Sequence, residues 1–125
     1  MTFRVEEDAA LGLVRVTVEG VFEVPEIDAM VGQARELASA HRWNTLYDMR
    51  SARPGRMGPG DVFWMPRELP ALRGAEALGV RVATLHPAEL APIADFWENS
   101  FRNMGLQARA FLDEPQALAW LAGSS

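Results

Sequence analysis

Leu46-Tyr47-Asp48-Met49-Arg50 runs directly into Ser51-Ala52-Arg53-Pro54-Gly55-Arg56-Met57-Gly58-Pro59-Gly60. Thr45–Met49 reads as a short buried strand, with a carboxylate, Asp48, and a guanidinium, Arg50, at its end. The next ten hold three glycines, two prolines and two further arginines, the composition of a loop. In an open α/β sheet, function concentrates where strands end and loop backbone converges. This junction therefore sets both the fold class and the place to look for a site.

Upstream of this junction, Val14, Val16 and Val18 alternate with Arg15, Thr17 and Glu19, which predicts a strand with one covered face. It pairs in a hairpin with Phe3 and Val5 and ends at Gly20. Pro25 suits the first turn of a helix, with Glu26 and Asp28 near its positive end. Ile27, Met30, Val31, Ala34, Leu37 and Ala38 share one face of that helix. Beyond the glycine-rich loop, Asp61 is placed to cap a helix carrying Val62, Phe63, Met65 and Leu69. Pro66 and Pro70 keep it short or kinked. Residues 79–85 (GVRVATL) read as another buried strand. His86-Pro87 opens a third helix with apolar positions at Leu90, Ile93, Ala94, Trp97, Phe101 and Met104, stopped by Gly105. Ala108–Leu112 is the last strand. Asp113 to Gln116 has the spacing of a capping box before Leu118 and Leu121 close a terminal helix. The expected order is ββαβαβαβα: an α/β domain with a mixed sheet, its later strands parallel, and helices packed on the sheet.

That order, with Gly20 ending the second strand, Tyr47-Asp48-Met49-Arg50 ending the third and the closing run from Arg109 to Leu121, resembles the SpoIIAA-like group of the STAS/SEC14-type domains. The resemblance spans nearly the whole chain and implies a small non-enzymatic module that binds a partner or a small ligand. In the anti-sigma-antagonist branch of that group an aspartate ends the third strand, and a regulatory serine follows about six residues later. Asp48 matches the aspartate, but Pro54 occupies the serine's place and Ser51 stands only three residues on. Proline cannot be phosphorylated, so the resemblance does not extend to that switch.

A chain of 125 residues fits a single domain, 1–125. Its 49% hydrophobic and 23% charged residues describe a globular protein rather than a disordered one. A net charge of −5 argues against nucleic acid as a partner. With no cysteine, thiolate chemistry and disulfides are excluded. The charged opening, Met1 to Asp8, carries no signal peptide, and no stretch approaches the about 18 apolar residues of a membrane span. The expectation is a cytoplasmic protein without a transmembrane segment.

Arg50, Arg53 and Arg56, interleaved with glycines, form either an anion-binding lip or three solvated cations. Asp48 orients Arg50, or accepts loop hydrogen bonds structurally. Phe63, Trp64 and Met65 line a pocket or contact surface, or turn into the core. Neither a Walker motif nor a dinucleotide fingerprint is present. His41 and His86 are unpaired in sequence, so no metal or cofactor is implied, and no catalytic residues are assigned. His86 is expected to cap the third helix. Two functions follow: an interaction or regulatory module, including a homodimer, or a carrier or sensor of a small amphiphile or anion beside residues 50–72.

Overall fold

The computed structural model describes residues 1–56 and 79–123. The expected helix after Asp61, with Phe63, Trp64 and Met65, lies outside the described residues. Among the described residues, five strands form one sheet in the order β1-β2-β3-β4-β5. They are β1 (Thr2–Asp8), β2 (Leu13–Phe22), β3 (Asn44–Pro54), β4 (Arg81–Leu85) and β5 (Gln107–Phe111). β1 and β2 are antiparallel, and every later pair is parallel, the mixed sheet that the strand–helix alternation predicts. Asp8 Oδ1 accepts the Leu11 N–H at 3.1 Å to close the hairpin, and Gly12 takes a left-handed φ of 63°.

Helix α1 (Val24–His41) begins with Pro25 in its first turn, where the missing N–H costs nothing. It ends at Arg42, which adopts φ 55°, ψ 42° and donates its N–H to Ala38 O. Helix α2 (Ala91–Asn103) follows a 3₁₀ turn at Ala88–Leu90, so it starts later than the His-Pro pair suggests. Pro92 lies in its first turn, and Pro87 precedes the 3₁₀ turn. Helix α3 (Glu114–Leu121) starts after extended Asp113. The expected capping box does not form, since Asp113 makes no side-chain cap bond; Glu114, between the two box positions, pairs with Arg15 and Arg50.

The period of two along each strand divides the core between the faces of the sheet. Val14, Val16 and Val18, all fully buried, lie under Ile27, Met30 and Ala34 of α1 and join Trp97 and Phe101 of α2. On the opposite face Leu46, Ala83, Leu85 and Phe111 pack beneath Ala117 and Leu121 of α3. Asn44 pins that helix: its Nδ2 donates to Leu121 O at 2.7 Å, and its Oδ1 accepts the Arg81 N–H at 2.7 Å.

β2 continues past Gly20 to Phe22, and β3 continues past Met49 to Pro54. The glycine-and-proline composition pointed to a loop from Ser51 onward. The added residues of β2 provide a pairing edge that turns Ser51–Pro54 into strand, with Gly20 opposite Ala52 and Phe22 opposite Pro54.

Candidate functional site

The extension of β3 is shaped by a bulge. Thr17 pairs with Asp48, but Glu19 pairs with Ser51, so Val18 alone stands opposite both Met49 and Arg50. The bulge changes the phase of the strand. Thr45, Tyr47 and Met49 are buried, and regular alternation would send Ser51 and Arg53 inward after them. Instead Ala52 is buried, while Ser51 and Arg53 are exposed.

β4 does not follow. It pairs with β3 only over Thr45–Asp48 and stops at Leu85. The next residue, His86, gives its N–H to Phe111 O at 3.0 Å, and its Nδ1 lies 2.9 Å from Pro87 O. His86 is buried and belongs to the end of the sheet, not to a helix cap, which corrects the sequence expectation. The chain then turns through Pro87 into α2. An open cleft of about 670 Å³ lies where β3 has outrun β4. Ser51–Pro54 form one wall, and Pro87, Glu89, Leu90 and Ile93 form the other. Arg50 also lines it. A void of about 10 Å³, walled by Phe22, Met49 and Trp97, shares Leu90 and Ile93 with the cleft. It has room for no more than a water molecule, so Leu90 and Ile93 close the apolar side of the cleft.

The strand edge facing this cleft is a poor template for another strand. The Arg50 N–H is already donated to Asp48 Oδ1 at 3.1 Å, and Pro54 has no N–H. Gly55 then donates to Phe22 O at 3.2 Å. A Cβ at Gly55 would lie 3.2 Å from that same oxygen and collide with the Glu23 side chain, so glycine lets the strand end close against β2.

Asp48 holds Arg50 by side chain as well as backbone, so both sequence readings of this aspartate apply together. Its Oδ1 accepts Arg50 Nε at 2.9 Å, and its Oδ2 accepts Nη2 at 2.8 Å, a two-pronged grip. Arg50 Nη2 also reaches Glu114 Oε1 at 3.2 Å. Arg15 approaches the same Glu114 oxygen at 3.4 Å and Asp8 Oδ2 at 3.8 Å. The Arg50 hydrogen bonds hold the Asp48 carboxyl below its usual range, against the opposing effect of partial burial. The same bonds push the Arg50 guanidinium upward.

The three arginines thus separate. Arg50 lines the cleft but is occupied by two carboxylates. Arg53 lines the cleft, and its side chain has no ion pair or hydrogen bond among the described residues. Arg56 is exposed and does not line it. Phe63, Trp64 and Met65 lie outside the described residues. Sequence reasoning missed the far wall: Leu90 and Ile93 were assigned to a helix face, and Pro87 and Glu89 to no site. The signal was the Pro87–Pro92 pair, which delays the helix and leaves a turn facing β3. Glu114 was missed as a partner of Arg50, and so was Arg15, which shares the Glu114 carboxylate with it, although strand alternation places Arg15 on the polar face of β2.

No protein-family model matches the sequence, and no curated protein matches it. Among solved structures, the chain is similar to an uncharacterized protein of the DUF3478 family with a SpoIIAA-like fold from Shewanella loihica PV-4. The TM-score is 0.55 at 16% identity, over 96% of this chain and 92% of that one. At that identity the likeness shows the fold alone: the chain has a SpoIIAA-like α/β fold.

Proposed function

We propose that this chain, built on a SpoIIAA-like fold, is a non-enzymatic regulatory module that works by binding, with the cleft beyond β4 as its ligand site. The observation that carries this reading is the bulged extension of β3, which holds Arg50–Pro54 opposite Leu90 and Ile93 across about 670 Å³. That volume falls within the roughly 300–1,000 Å³ of small-molecule sites. Apolar side chains beside guanidinium groups suit a small amphiphile or an anion. The two histidines support a role without catalysis. His41 sits at the opposite end of the parallel strands, bonded to Glu7 at 3.1 Å and stacked on Trp43. His86 is buried, with its Nδ1 against the Pro87 carbonyl.

A protein partner, a second copy of the chain included, is the second reading. It is favoured by the exposed lip of Ser51, Arg53, Gly55 and Arg56 on a strand end fixed by β2. Because the edge is blunted, such a partner docks through side chains rather than by adding a strand.

Native mass spectrometry of protein purified from its own host tests the ligand reading. A bound mass on the wild type, lost in Ile93→Trp, is expected. A bare wild-type chain that sediments as a dimer moves the function to the lip. A bare monomer with no partner removes both readings.

A further inference from the structure

Arg53 and Glu89 stand on opposite walls of the cleft, and neither side chain has an ion pair or hydrogen bond among the described residues. The third charge, Arg50, is engaged by Asp48 and Glu114. Among the described residues, the cleft therefore presents one uncommitted cation on the β3 wall and one uncommitted anion on the α2 side. Leu90 and Ile93 supply apolar surface on that same side.

We propose that the cleft selects a zwitterion: a small molecule with an acidic group for Arg53, an ammonium group for Glu89 and an apolar portion for Leu90 and Ile93. This rests on the cleft being the ligand site, and it specifies the ligand's chemistry. The selection works by repulsion as well as attraction. A simple anion that reaches Arg53 brings its charge toward the Glu89 carboxylate. A simple cation at Glu89 meets Arg53. Only a molecule carrying both charges offers each wall its opposite, and entry into the cleft strengthens both interactions by excluding water. The Asp48 grip adds to the discrimination, because Arg50 would otherwise tilt the cleft toward anions. Arg53 can also make a forked contact with a carboxylate or phosphate.

Four probes matched in chain length or headgroup test this at pH 7: 2-aminooctanoate, octanoate, octylammonium and alanine, each titrated into the full chain while backbone amide shifts of Ala52, Leu90 and Ile93 are followed. The expected result is 2-aminooctanoate binding at least about ten-fold tighter than either singly charged probe. Glu89→Gln should shift the preference toward octanoate, and Arg53→Gln toward octylammonium. Both positions are exposed, so the variants keep the fold, which their amide spectra verify. Alanine should bind more weakly than 2-aminooctanoate; equal binding of the two would overturn the apolar contact with Leu90 and Ile93. Equal binding of all three octyl probes, or no change of preference in Glu89→Gln, overturns the zwitterion while leaving a ligand cleft. Binding of none of the four removes the ligand site itself.

Discussion

Where α1 and α2 cover the sheet, Val14, Val16 and Val18 alternate without interruption, and every one is fully buried. At the carboxyl end of the neighbouring strand β3, the same sheet breaks its alternation at Met49 and Arg50, exposes Ser51 and Arg53, and leaves β4 behind. The first region makes one arrangement far more stable than others by removing apolar surface from water. The second gives up regular pairing and gains a concave surface whose charges are available. Both lie on the β2–β3 pair, so the stiffness of the first region fixes the geometry of the second. Among the described residues, then, the cleft follows from unequal strand lengths plus one extra residue in β3.

Substitutions sharpen this contrast in order of expected size. Ile27→Ala removes a fully buried side chain from the helix-covered face and should cost about 3 kcal/mol in urea unfolding, within the usual range for such cavities. A loss under about 1 kcal/mol would mean that this face is not the rigid half. Asp48→Asn, at the other region, should cost about 1 kcal/mol at pH 7, since a forked but partly exposed ion pair is worth little more. Its pH dependence carries the sharper test. The folded carboxyl is held below its ordinary value of 3.8, so its contribution is complete above that value and fades as pH falls through the lower folded one. The gap between wild type and Asp48→Asn should therefore close only in strong acid; a gap that closes near pH 6 would show that another group is responsible.

A still smaller effect, of opposite sign, is expected at Arg42, which occupies the left-handed region at the end of α1. Arg42→Gly should raise stability by about 0.5–1 kcal/mol, because glycine adopts that conformation without the Cβ penalty. Smallest of all, Arg53→Gln should change unfolding by less than about 0.5 kcal/mol while weakening 2-aminooctanoate binding, the separation of stability from binding that the cleft requires.

The regular half of the molecule was legible in the sequence because its signals are local. The valine alternation placed β2, and Pro25 with the apolar set from Ile27 to Ala38 placed α1. Alternating strand and helix patterns required the parallel strands after the hairpin. Asp48 and Arg50 were recognisable as strand-end residues worth following. Their mutual grip was not, since it depends on a bulge that no local pattern announces. Ser51–Pro54 was read as loop because glycine and proline usually interrupt strands. Its pairing depended on how far β2 happened to extend alongside it. Glu89 carried no signal either: an exposed acid near a helix start is ordinary until a cation faces it across a cavity.

Taken alone, the order of residues determined which side chains could share a covered face, where helices could begin, and hence the mixed sheet, since those follow from the fixed periods of strand and helix. The tertiary structure decided the rest: the phase change at Met49–Arg50, the early end of β4, the capture of Arg50 by Asp48 and Glu114, and the placing of Arg53 and Glu89 on one cleft. Each of these joins residues distant along the chain or depends on the relative lengths of neighbouring strands, and such relations come into existence only when the sheet has assembled.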